Sequence, residues 1–146
     1  MKSITSCPVC GHGEMSSQTI TEQFEYKGQG FKIENYKINQ CPNCEESIID
    51  PETLRRAEKQ IRDFHRRVDG LLTSEEIKGI RTNIGYSQKE MGLLLGGGAK
   101  GFARYESGTI TQSRAMDNLL RIIKEKPEII KLLREARQES EKITVS

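Results

Sequence analysis

Two short cysteine pairs, Cys7-Pro8-Val9-Cys10 and Cys41-Pro42-Asn43-Cys44, constrain this chain more than any other feature, and it has no further cysteine. Each C-x2-C pair can close into a knuckle that aims two thiolates at one ion. Two knuckles make a closed tetrahedral sulfur site, the pattern of a structural zinc held by Cys7, Cys10, Cys41 and Cys44. Such a site has no open coordination position, so it stabilises a fold rather than carrying out a reaction. Two alternatives share the ligands. Iron in a rubredoxin-like site uses the same four sulfurs, but aromatic residues are only 5% of the chain and tryptophan is absent, so little is available to shield a redox centre. Two disulfides would each close a strained C-x2-C loop. His12 follows the first knuckle, but four cysteines already complete a tetrahedron.

A chain of 146 residues can hold one domain or two small ones. Its N-terminus carries no apolar run of the signal-peptide kind, and no stretch approaches the ~20 apolar residues that span a bilayer. The expected location is the cytoplasm, where thiols stay reduced and metal is favoured over disulfide. The formal net charge of +2 conceals an asymmetry: residues 1–50 carry net −3, residues 51–72 net +2 and residues 73–146 net +3. An acidic head on a basic body suggests two tasks. An enzyme is not expected, because His12 and His65 lie outside any acid–base constellation and the metal takes every thiol.

Between the knuckles the pattern is that of strands. Ile20, Phe24 and Tyr26 share one alternation, Gly28-Gln29-Gly30 marks a turn, and Phe31 and Ile33 resume the alternation. Tyr36 and Ile38 continue in the opposite phase, so a bulge or short loop is expected at Glu34-Asn35. The apolar content is thin for a core, which makes the metal a main source of stability. At Pro51 the period changes to that of a helix, with Asp50 as N-cap and Leu54, Ala57, Ile61, Phe64, Val68 and Leu71 on one face. Its charged face, with Arg55, Arg56, Lys59, Arg62, Asp63, Arg66 and Arg67, reads as solvated, with a secondary phosphate contact by its arginines as the alternative, and His65 reads as a surface residue. Five short helices follow: Ser74 to about Thr82; from the capping box Ser87-Gln88-Lys89-Glu90 to Leu95; about Ala99 to Ser107; about Gln112 to Lys126; and from Pro127 to about Glu139, where a polar end is expected to fray. The fold class is therefore α+β: a zinc-stapled β-rich domain over 1–50, a linker helix over 51–72, an all-α helix-turn-helix domain over 73–138 and a polar tail over 139–146.

A glycine-bearing turn, Leu95-Gly96-Gly97-Gly98, between the second and third of these five helices is the mark of a helix-turn-helix. Gln88, at the start of the first motif helix, is placed to hold a phosphate beside free backbone amides. Lys100 and Arg104 project from the third helix, with Gly101 and Ala103 small enough to let it sit deep in a groove. Phe102 and Tyr105 read as core, and Glu106 as a local polar contact.

Gly85-Tyr86-Ser87-Gln88-Lys89-Glu90 followed by Arg104-Tyr105-Glu106-Ser107-Gly108 resembles the Xre, phage-repressor type of helix-turn-helix. Together with the two knuckles, the segment Cys41-Pro42-Asn43-Cys44-Glu45-Glu46-Ser47-Ile48 and the run from Leu95 to Glu106, the chain resembles the MqsA-type (YgiT-family) antitoxins over nearly all of residues 7–134. The resemblance implies an antitoxin of a type II toxin–antitoxin system. Such a protein holds one structural zinc per chain, binds its toxin (a ribonuclease in the best-known case) through the zinc domain, and represses its own operon as a homodimer on a palindromic double-stranded DNA operator. It implies that Arg104 reads a base. Lys100 stands where the family pattern has asparagine, and lysine favours guanine or phosphate where asparagine favours adenine. The apolar surplus for a dimer through the C-terminal domain is expected at Leu119, Leu120, Ile123, Ile129 and Leu133. A zinc-containing transcriptional regulator without a toxin partner is the alternative; an iron-bearing electron carrier is a more distant one.

Overall fold

The computed structural model describes residues 6–145, and the side chains of residues 6–138. It divides into two compact units, residues 1–61 and 62–146, and the division falls inside a single helix.

In the first unit, β1 (Ser16–Tyr26), β2 (Gln29–Gln40) and β3 (Ser47–Ile49) form an antiparallel sheet in the order β1-β2-β3. Tyr26 pairs with Gln29, so the hairpin turn is Lys27-Gly28, one residue earlier than the two glycines suggest. Both turn residues have positive φ, 48° and 78°, the backbone hand that matches strand twist in a two-residue hairpin. Gln29 and Gly30 already belong to β2. The phase switch at Glu34-Asn35 is a β-bulge: Ile20 pairs with Tyr36 and Glu22 with Ile33, which sets two residues of β2 against Thr21, and Asn35 takes φ 57°. The bulge allows Ile33 and Tyr36, three positions apart, both to be buried.

Helix α1 (Pro51–Val68) begins as its sequence predicts. The Asp50 carboxylate accepts from the Thr53 backbone N–H at 3.2 Å and from its hydroxyl at 3.3 Å. Ala57 is buried with Ile33 and Tyr36, and Ile20, Phe24, Phe31, Ile38, Ile49 and Ile61 pack around them. Leu54, assigned to the same apolar face, is 40% exposed.

The second unit contains the end of α1 and α2 (Ser74–Asn83), α3 (Gln88–Leu95), α4 (Gly101–Ser107), α5 (Arg114–Glu125) and α6 (Ile129–Val145). The fifth predicted helix thus continues past Glu139, and the side chains of the expected polar tail lie outside the described residues. Thr73 and Ser87 each head a reciprocal capping box, with Glu76 and Glu90 respectively, and Ser113 caps α5. Leu72, Ile77, Ile80, Met91, Phe102, Tyr105, Leu120, Ile123 and Ile130 form the core. Leu120 and Ile123 are therefore not surplus: both are completely buried, and Leu119 and Ile129 pack against the same core. Leu133 is half-buried, whereas Ile122 at 47% and Leu132 at 64% are the exposed large apolar residues of α5 and α6 among the described residues.

The largest departure from the sequence pattern is Arg66. It was expected on a solvated face and is wholly buried. One terminal guanidinium nitrogen donates to Asp63 at 2.9 Å and the other to the carbonyls of Tyr105 at 3.0 Å and Ile110 at 2.8 Å, while Nε is buried without a hydrogen-bond partner among the described residues. Asp63 in turn accepts from the Ser74 backbone N–H at 2.8 Å and from its hydroxyl. Gln112, expected to open a helix, is instead a buried brace just before one. It donates to the Leu72 carbonyl at 2.8 Å and to Asp117 at 3.0 Å. Asp117 also accepts from the Leu72 N–H at 2.7 Å and from Arg121 at 2.8 Å. Buried carboxylates are tolerated only when so completely partnered. The network fixes the 69–74 connection and the 108–113 loop. His65 is half-buried rather than a plain surface residue.

Candidate metal centre and nucleic-acid interface

The two cysteine knuckles are built alike. Gly11 N–H donates to the Cys7 carbonyl and Glu45 N–H to the Cys41 carbonyl, both at 2.9 Å, and Gly11 and Glu45 both have positive φ, 74° and 62°. The first loop is closed by the Cys7 N–H to the Gly13 carbonyl at 2.9 Å, and the second by the Cys41 N–H to the Glu46 carbonyl at 3.0 Å. These closures bring all four sulfurs within 4.8 Å of one another, with Cys7–Cys44 at 3.6 Å and Cys10–Cys41 at 3.7 Å. A tetrahedron of sulfurs ~2.3 Å from a central ion has edges of about 3.8 Å, whereas a disulfide needs ~2.05 Å. The spacing fits a metal cage, and the four cysteines are free thiols. Gly13 is required by the packing, because a Cβ there would lie 2.1 Å from Cys41 Sγ.

The thiols also divide electrostatically. Asn43 donates its side-chain amide to Cys10 Sγ at 3.5 Å and, with the His12 N–H, lowers that thiol to about 6. At Cys44 the Glu46 N–H acts to lower the pKa, but desolvation and the sulfurs of Cys7, Cys41 and Cys10 outweigh it and push the thiol up to about 12. One thiolate forms readily and the last resists, as expected when four like charges share a cage. A divalent cation removes that conflict.

In the second unit, α3, the turn and α4 make the helix-turn-helix. Gly96, Gly97 and Gly98 have φ of 103°, 95° and 79°, a run of positive values that side-chain-bearing residues rarely adopt. The turn folds back so closely that a Cβ on Gly92 of α3 would lie 2.0 Å from the Gly98 carbonyl oxygen. Phe102 and Tyr105 anchor α4 in the core, as their spacing suggests, with rings edge to face at 5.4 Å. Glu106 is more than a local contact: it forms a two-pronged ion pair with Arg81 of α2, both bonds 2.8 Å. Arg81 also donates to the Tyr86 carbonyl at 2.8 Å. Neither Arg81 nor Arg66 stood out among the chain's basic residues. For Arg81, the signal available was a glutamate at a helix position otherwise flanked by core residues.

Arg104 lies on the exposed side of α4, in the turn whose other residues, Tyr105 and Glu106, are buried. Lys100 is exposed at the N-cap of α4, just before the helix rather than within it, because α4 starts at Gly101. Gln88 is half-buried at the first position of α3. Ser87 and Glu90 satisfy each other's backbone amides there at 3.1 and 3.2 Å. The amides of Gln88 and Lys89 have no acceptor within the helix and are available to an outside anion.

The family model for the antitoxin component of bacterial toxin–antitoxin systems, MqsA, matches residues 5–136. Antitoxin MqsA of Escherichia coli (strain K12) is 30% identical over 129 residues, which cover 88% of this chain and 98% of that protein. The solved N-terminal domain of the E. coli protein MqsA shares 29% identity over 44% of this chain and 97% of that domain, with a TM-score of 0.35.

Proposed function

The chain belongs to the MqsA family of antitoxins, and from that membership we propose that its first unit binds a toxin while its second binds operator DNA and represses transcription. Among the described residues, no helix is long and apolar enough to cross a membrane. The observation that carries the DNA reading is the mounting of α4. Its inner face is fixed by Phe102, Tyr105 and the Glu106–Arg81 pair, while Arg104 and Lys100 remain exposed. A helix fixed on one side and basic on the other suits a major groove. Arg104 reads guanine through its paired donors, Lys100 contacts guanine or phosphate, and Gln88 with the first amides of α3 holds a phosphate. A homodimer, joined through the apolar surface that includes Ile122 and Leu132, places two such helices on the halves of a palindrome.

The metal is zinc, one per chain, held by Cys7, Cys10, Cys41 and Cys44. The closed four-sulfur set and the sparse aromatic shell favour it over a redox metal. It closes the knuckles that hold the base of the sheet and takes part in no reaction. For the toxin, charge and backbone both point to the first unit. Residues 1–50 carry net −3, and among the described residues β1 is an edge strand whose sheet neighbour is β2. An eleven-residue edge with neither proline nor lysine to block it is open to another strand.

Co-expression tests the pairing. The chain should restore growth to cells expressing the product of the neighbouring gene, and Thr21→Pro, which places a kink in the β1 edge, should reduce that rescue. Binding of that product by residues 62–146 alone would refute the division of labour. Absence of any toxic neighbour would leave a zinc-containing regulator as the correct reading.

A further inference from the structure

We propose that Arg66 is a positioning residue for DNA reading: from the end of α1 it holds the C-terminal end of α4 and so sets the direction in which Arg104 projects. The inference rests on the DNA reading above.

Arg66 is a helix-end clamp supplied by a different helix. The carbonyls of the last turn of α4 lack regular helical partners; that of Tyr105 takes a long 3.4 Å bond from the Gly108 N–H at the cap, and Arg66 donates to it at 3.0 Å. The same nitrogen donates to the Ile110 carbonyl at 2.8 Å, so the helix end and its exit loop are tied to one point. The Ile110 and Thr109 amides both point back to the Arg104 carbonyl, at 3.4 and 3.0 Å. The peptide of the proposed reading residue therefore sits within the clamped turn. A buried guanidinium here also places positive charge at the negative end of the helix. Its other nitrogen is held by Asp63 at 2.9 Å, and Asp63 by Ser74, so the clamp is itself fixed. Phe102, Tyr105 and the Glu106–Arg81 pair secure the inner face of α4, and Arg66 adds a hold on the carbonyl end of its last turn. Paired donors on a guanine edge tolerate little change in direction.

The test uses full-length, metal-loaded protein and two DNA duplexes, one carrying the sequence upstream of its own gene and one scrambled, at the same salt. Arg66→Lys keeps the charge beside Asp63, but its one nitrogen, on a shorter side chain, must replace the two that serve Asp63 and the pair of carbonyls separately. Arg66→Met with Asp63→Asn removes both charges and leaves an oxygen for Ser74. Each should stay helical by circular dichroism and bind scrambled DNA within about twofold of wild type, yet lose about tenfold in preference for the upstream sequence. Folded variants with the wild-type preference would overturn the proposal while leaving the DNA reading intact. Loss of helix in both would show Arg66 to be a stability element only, and would overturn it too. A wild-type chain without preference, or one whose preference survives Arg104→Ala, would refute the DNA reading itself and the proposal with it.

Discussion

Gly79 and Gly92 lie in adjacent helices, α2 and α3, and replacing each by alanine should shift stability in opposite directions. Glycine inside a helix costs roughly 0.5–1 kcal/mol relative to alanine, because the unfolded chain has more freedom to lose. That gain applies at both positions. At Gly79 nothing lies within 4 Å of where the new Cβ would stand, so Gly79→Ala should stabilise by about the full 0.5–1 kcal/mol. At Gly92 the Cβ would meet the Gly98 carbonyl oxygen at 2.0 Å and its carbon at 3.0 Å. Both are backbone atoms of the turn, so α3 and the turn must separate by more than an ångström. Overpacking of this kind costs typically about 1–3 kcal/mol, enough to reverse the sign. The two variants should thus differ by about 1–3 kcal/mol, which is the cost of the collision alone. Urea unfolding of the metal-loaded chain, followed by helical circular dichroism, measures both, and hydrogen exchange at the Met91 and Phe102 amides localises the change. Equal stabilisation by the two substitutions would refute the close packing of α3 against the glycine turn.

Chelation should unfold the knuckles and sheet of the first unit, with loss of amide protection in β2, while the helices of the second unit persist on their own apolar core; loss of both together on removing metal would contradict this. Gly13→Ala should weaken metal binding about tenfold or more, read by competition with a chromophoric chelator, because its Cβ would fall on Cys41 Sγ. At Asp63 and Asp117, burial favours the neutral acid, but the Ser74 hydroxyl and N–H with Arg66, and Arg121 with Leu72 and Gln112, outweigh it and hold both carboxyls below the ordinary range. A carboxyl more acidic in the folded than in the unfolded chain stabilises above its unfolded pKa of about 3.9 and ceases to as pH falls through its folded value. The second unit should therefore keep its stability from neutral pH to about pH 4 and lose it below, and Asp117→Asn should flatten that acid limb; an unchanged limb in the variant would count against the network.

What the sequence made legible was local. Asp50 before Pro51, the Ser87–Glu90 box and the cysteine knuckles are patterns within four residues, and each formed as read. The phase change at Glu34-Asn35 was also visible, because a bulge shifts which residues face inward. The Thr73–Glu76 capping box carries the same signal as Ser87–Glu90, one residue before the Ser74 start that the pattern suggests; Ser74 is buried against Asp63 instead. Arg66 was illegible for a physical reason. A buried arginine differs from its solvated neighbours only in its partners, and these lie 39 and 44 residues away. Leu120 and Ile123 read as surplus in the sequence because a core's demand for apolar volume depends on how the helices pack, which no single helix reveals. The gathering of the four cysteines was readable from the sequence. The clamps on α4, Arg81–Glu106 and Arg66, were not.

The central claim is that α4 reads DNA through Arg104. Binding of the full-length, metal-loaded chain to the sequence upstream of its own gene, measured by fluorescence anisotropy across a range of salt, tests it most directly. Arg104→Ala should cost roughly 1–3 kcal/mol on that sequence and relax preference at one position in each half-site. Lys100→Ala, if its contact is to phosphate, should weaken all DNA alike and reduce the salt slope by about one unit per chain. Unaltered affinity and sequence preference in the Arg104→Ala, Lys100→Ala double variant would contradict the account, because α4 would then not be the reading helix.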